Sequence, residues 1–92
     1  LDRLIALRPG HGDAHFNRGN LLRMLGRTEE ALLSFDRAVA AKPEMAEAHC
    51  NRANALLALK QWPDALAGVD RALALKPDFA VAYCLRGDVL VA

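Results

Sequence analysis

The phrase His15-Phe16-Asn17-Arg18-Gly19-Asn20 returns 34 residues later as His49-Cys50-Asn51-Arg52-Ala53-Asn54, and a third time, altered, as Tyr83-Cys84-Leu85-Arg86-Gly87-Asp88. A fixed period of this size constrains the fold more than any other feature of the chain. Each period must be one supersecondary unit that buries its apolar face only against its neighbours. Set without gaps against residues 46–79, residues 12–45 match at 15 of 34 places. Pro9, Pro43 and Pro77 beat the same interval.

Within each period the apolar and small residues fall at helical spacing in two runs. The first period has Ala14, Gly19, Leu21, Leu22 and Leu25, then Ala31, Leu32, Phe35, Ala38 and Val39. A turn at Gly26-Arg27 separates the runs, and Lys60-Gln61-Trp62 takes its place in the next period. Thr28 is the expected N-cap of the second run, with Glu29 and Glu30 favouring the positive end of that helix. Pro63 is expected at a first helical position, where a missing N–H costs nothing. The periodic prolines strip a donor and push the preceding residue out of helical geometry, so helices should close at Arg8, Lys42 and Lys76. The unit is helix, tight turn, helix, proline-marked turn.

Small residues recur where two helices must approach: Gly19, Ala53 and Gly87, then Ala31 with Ala65, then Ala38 with Ala72. Large ones fill the space left between them: Leu22 with Leu56, Leu25 with Leu59, Phe35 with Val69. This pattern resembles the tetratricopeptide-repeat family over essentially the whole chain. On that resemblance, 1–11 is the tail of a preceding repeat, 12–45 and 46–79 are repeats, and 80–92 is the first helix of a following one. His15 and His49 stand where the family more often carries tryptophan or another large residue, Lys60 replaces a turn glycine, and Leu4 a late small residue.

The resemblance implies an all-α solenoid of antiparallel helix pairs in a right-handed superhelix, whose first helices line a concave groove that captures a ligand. The groove residues carried over are Asp13, Phe16, Asn17, Asn20 and Arg23, then Glu47, Cys50, Asn51, Asn54 and Leu57, then Val81, Cys84, Leu85 and Asp88. Asn17 with Asn51, and Asn20 with Asn54, would form two short asparagine ladders. Amides carry donors and an acceptor, so such ladders can hold a peptide backbone without reading its sequence. The co-chaperone members grip a terminal carboxylate with a clamp of lysines, asparagines and an arginine. Here Asn20 and Asn51 occupy the clamp's asparagine places, but Phe16, Val81 and Leu85 occupy its basic ones. A terminal carboxylate would lose its charge-assisted bonds. The phrases Asn-Arg-Gly-Asn and Ser-Phe-Asp-Arg-Ala are also similar to repeat regions of bacterial O-linked N-acetylglucosamine transferase-like proteins, although nothing in the chain resembles a sugar-nucleotide domain.

Arg18, Arg52 and Arg86 share one place in the period, and Asp2, Asp36 and Asp70 another. Each arginine is expected to pair with an aspartate of an adjacent second helix and so orient the stack. His15, His49, Cys50, Cys84, Asp36 and Asp70 are residue types that serve nucleophilic or metal chemistry, but they recur one per period instead of converging. No catalytic role, cofactor or metal is expected. Twelve Lys and Arg against eleven Asp and Glu leave a formal charge of +1, without the basic footprint of a nucleic-acid or anionic-membrane binder. The apolar runs fall well short of the ~20 residues that span a bilayer. Cys50 and Cys84 lie one period apart, so free thiols and a reducing, cytoplasmic compartment are expected.

The chain opens inside one repeat and stops at Leu90-Val91-Ala92, so it reads as a fragment whose last helix, on the side of Leu85, Val89 and Leu90, would meet a second copy or stay exposed. The function expected is a protein-protein interaction module that binds a peptide or protein segment. The alternatives are the substrate-recognition arm of a larger glycosyltransferase-like enzyme and a structural spacer for self-assembly.

Overall fold

A computed structural model describes residues 11–91. Within them the chain forms five α-helices and no strand: α1 (His11–Met24), α2 (Thr28–Ala41), α3 (Ala46–Ala58), α4 (Trp62–Leu75) and α5 (Ala80–Val91). Short turns oblige each helix to run back along its predecessor. The closest pairings are α1 with α2 and α3 with α4, joined through α2 against α3 and α4 against α5. As a result α1, α3 and α5 run in one direction and touch side by side. Arg8, Pro9 and Asp2, which carried expectations above, lie outside the described residues.

The turns inside each pair share one mechanism. Arg27 N–H bonds the Leu22 carbonyl at 2.8 Å and Gly26 N–H bonds that of Arg23 at 3.0 Å, while Gln61 bonds Leu56 at 2.9 Å and Lys60 bonds Leu57 at 3.0 Å. This doubled bond is the Schellman closure, which needs a left-handed residue at its pivot. Gly26 provides it at φ 80° and Lys60 at φ 63°. A Cβ in that region costs about 1 kcal/mol. Lys60→Gly should therefore stabilise the chain by about 1 kcal/mol, and Gly26→Ala should destabilise it by a similar amount, both read as midpoint shifts in urea at unchanged slope.

Two helix starts differ from expectation by one residue. Arg27, not Thr28, caps α2, because its carbonyl already accepts from Ala31 N–H at 2.9 Å and no side-chain cap forms. The Schellman turn delivers the chain in helical register at Thr28. Likewise Trp62 opens α4 and Pro63 is its second residue. At the other ends the helices stop before Lys42 and Lys76, whose N–H groups make the last bonds, to Ala38 at 2.8 Å and Ala72 at 2.9 Å. The prolines that follow cannot continue them.

Packing follows the period. α2 buries Ala31, Ser34, Phe35 and Ala38, and α4 buries their counterparts Ala65, Gly68, Val69 and Ala72. α3 has neighbours on several sides and buries Ala46, Ala48, Cys50, Ala53, Ala55 and Leu56 around much of its circumference. Phe35 is fully enclosed, and a Cβ at Gly19 would lie 2.6 Å from its ring. Leu22 and Leu56 are buried, but Leu25 is 62% exposed. Leu25 N–H bonds back to the Leu21 carbonyl in the turn itself, where its side chain stays in solvent.

The first-helix residues His49 and Tyr83 have a specific task. His49 Nε2 donates to the Pro43 carbonyl at 2.8 Å, and Tyr83 hydroxyl to the Pro77 carbonyl at 3.0 Å. Two chemically different rings thus satisfy the same carbonyl, six residues back, that the proline turn leaves bare. The apolar side expected to await a second copy is mostly covered within the chain. Leu85 and Val89 are buried against α3 and α4, because they take core positions of the period, and only Leu90 of the three is exposed. No described helix is long and apolar enough to cross a membrane.

Candidate functional site

Because α1, α3 and α5 run alongside one another, residues from successive periods meet on their shared face. One contact marks how they meet: Asn51 Nδ2 donates to Asn20 Oδ1 at 2.7 Å. The observed bond is therefore diagonal, at an offset of 31 residues, rather than straight across at 34. Of the four asparagines expected to form ladders, Asn51 of one expected pair bonds Asn20 of the other, Asn54 is half-buried and Asn17 is exposed.

One end of the face opens into a cleft of about 350 Å³ lined by Asp13, Phe16, Lys42, Glu44, Met45 and Glu47. The cleft brings Asp13 and Phe16 of α1 to the same space as Glu44, Met45 and Glu47 of the proline turn and α3. Phe16 is half-buried, its ring centroid 6.1 Å from that of Phe35, so the core fixes the cleft's aromatic wall. Lys42 Nζ lies 3.5 Å from Asp13 Oδ1. Among the described residues, no cation pairs with Glu44 or Glu47. Lys42, Glu44 and Met45 escaped the sequence reading because they sit in the proline turn and not on a helix. The matching phrases Lys42-Pro43-Glu44 and Lys76-Pro77-Asp78 were the available signal.

Arg23 lies further along α1, close enough to Cys50 of α3 for its charge to act there. Arg23 Nε is buried without a hydrogen-bond partner among the described residues. Its charge acts on Cys50. Burial pushes the Cys50 thiol above its ordinary range, Arg23 pulls it partly back, and Glu47 pushes it further up. Cys50 is 1% exposed and Leu85 7%, both in one core cluster with Ala53, Val69, Ala72 and Ala82. These two expected groove residues are hence corrected to core: α4 and α5 close over them. Leu57 is half-buried against the same cluster, whereas Glu47, Val81, Cys84 and Asp88 are exposed. Both cysteines are free thiols.

Away from this face, Arg52 Nε donates to Asp36 Oδ1, and Arg86 Nε to Asp70 Oδ1 at 3.1 Å. Each guanidinium reaches the second helix of the preceding period and so bridges two units. Arg18 would need Asp2, which lies outside the described residues. All four paired side chains are partly exposed, so each bridge contributes under about 1 kcal/mol. No cluster of three His, Cys, Asp or Glu among the described residues could hold a metal ion.

The tetratricopeptide-repeat family model matches residues 1–46 and again 25–80. No curated protein matches the chain. Among solved structures, the second TPR of Spaghetti (RPAP3), bound to HSP90 peptide SRMEEVD, superposes with a TM-score of 0.88 at 25% identity, over 90% of this chain and 77% of that one. The first TPR of Spaghetti, bound to the same peptide, gives 0.83 at 26% identity, over 87% and 65%. The TPR2B-domain:pHsp70-complex of yeast Sti1 gives 0.85 at 24% identity, over 87% and 64%, a likeness of fold alone. The 34-residue period, the paired helices with small residues at their crossings, and the family model that matches twice make this chain a member of the tetratricopeptide-repeat family.

Proposed function

We propose that the chain is a peptide-binding interaction module, and that the shared face of α1, α3 and α5 holds an extended segment of a protein partner. The observation that carries the reading is the Asn20–Asn51 pair. Their mutual bond uses one donor and one acceptor, leaving both amides with capacity for a peptide's N–H and C=O groups. The two Spaghetti domains, which hold SRMEEVD, support a peptide as the ligand class.

The ligand differs from that peptide in how it is held. Phe16, Val81 and Leu85 offer no charge to a terminal carboxylate, and Leu85 is buried. An internal segment bound through its backbone suits the amides better. SRMEEVD should show no saturable fluorescence anisotropy change with this chain. Peptides captured from an overlapping array should bind the Asn20→Ala/Asn51→Ala variant about tenfold more weakly or worse, from about 1 kcal/mol per lost hydrogen bond. Undiminished binding would remove the asparagines from the mechanism.

A further inference from the structure

We infer that the cleft at the start of α1 and α3 seats an arginine side chain of the bound segment; this rests on the peptide-binding reading and names the side chain it selects. The cleft places three carboxylates, Asp13, Glu44 and Glu47, around a space of about 350 Å³, with Phe16 and Met45 as its apolar lining. Its single ammonium, Lys42, is engaged with Asp13, and neither Glu44 nor Glu47 has a cation partner among the described residues. Among the described lining residues carboxylates outnumber ammonium groups three to one.

Three observations narrow the cation. Asp13, Glu44 and Glu47 form no metal-holding group among the described residues, and a cleft of about 350 Å³ has room for a side-chain head group. An aromatic ring held by the core forms one wall, which suits a flat delocalised cation that can stack on it. A guanidinium also bridges carboxylates with paired N–H donors, which an ammonium cannot do with fixed geometry. The diagonal offset places Asn20 and Asn51 about one turn along from Phe16 and Glu47, within reach of the same segment's backbone.

The competing explanation is local. Asp13 and Glu47 sit in the first turns of α1 and α3, where carboxylates favour the positive helix ends. That role would change stability but not the choice between side chains of equal shape. Citrulline supplies the control, because it keeps the shape of arginine and loses the charge.

The probes are the acetylated and amidated peptides Ala-Ala-Arg-Ala-Ala, its citrulline analogue and its glutamate analogue, titrated against the full chain by amide NMR. The arginine peptide should give saturable shifts at Phe16, Glu44, Met45 and Glu47. Citrulline should bind about tenfold more weakly or worse, and glutamate should leave the cleft unmoved. Glu44→Gln/Glu47→Gln, with folding checked by circular dichroism, should abolish the difference between arginine and citrulline. Equal affinity of arginine and citrulline at the cleft would overturn the inference. If the citrulline peptide binds across Asn20 and Asn51 as well as the arginine peptide does, the peptide-binding reading stands and the arginine seat falls. If no probe moves either set of residues, both fail.

Discussion

Gly19→Ala will lower the melting temperature by roughly 10 °C, the effect of about 2 kcal/mol on a domain of this size. Taken by itself, alanine in a helix interior is preferred over glycine by about 1 kcal/mol, so the loss has to come from packing. A Cβ at Gly19 would stand 2.6 Å from one Phe35 ring carbon and 2.7 Å from the next, and the ring is fully buried with Phe16 on its flank. Forcing extra volume into a well-packed core costs about 1–3 kcal/mol, and a fully buried ring puts Gly19 at the upper end, about 3 kcal/mol against the propensity gain of about 1 kcal/mol. The next period solves the same crossing with Ala53 and the smaller Val69. Gly19→Ala/Phe35→Val should therefore be more stable than the sum of its single variants predicts, with a coupling of about 1 kcal/mol or more. Gly87 is the control: nothing lies within 4 Å of a Cβ there, so Gly87→Ala should raise stability by about 0.5–1 kcal/mol. Equal responses at Gly19 and Gly87 in thermal melts would refute the interlock.

The two thiols should differ in alkylation rate by a factor of about a thousand or more. Cys84 is exposed and should react at the rate of an accessible thiol, whereas Cys50 sits under α4 and α5 and can react only when the helices part. Opening a core site costs several kcal/mol, and about 4 kcal/mol already gives that factor. Mass spectrometry after brief iodoacetamide treatment should find Cys84 modified and Cys50 intact. Modification of both at similar rates would place α5 off the core. The shift at Cys50 also fixes a pH dependence. Its folded pKa is raised by burial, so the fold favours the neutral thiol. That contribution is present below the ordinary thiol pKa of about 8.5 and is lost as pH rises through the folded value. Stability should decline above about pH 9, and Cys50→Ala should flatten that part of the curve.

Much of this architecture was legible before any coordinates. Periodic proline strips a donor wherever it stands, so helix ends at Lys42 and Lys76 follow from local chemistry. Glycine and alanine at 19, 53, 31 and 65 mark close crossings because no larger side chain fits between touching helices. The starts of α2 and α4 were less legible. They depend on how the Schellman turn hands the chain on, and that choice between Arg27 and Thr28 is made by backbone bonds common to every residue type.

The candidate site divides along the same line. Repetition by itself determined which residues share a face, since a 34-residue period repeats every environment. It could not determine the offset between neighbouring faces, because the angle at which helices cross depends on side chains packed from four elements at once. Only the tertiary structure decided that Asn20 meets Asn51, that Cys50 and Leu85 belong to the core, and that the proline turn brings Glu44 and Met45 beside Phe16. Period is a property of the chain, while registry is a property of the interface, and the binding face is made of registry.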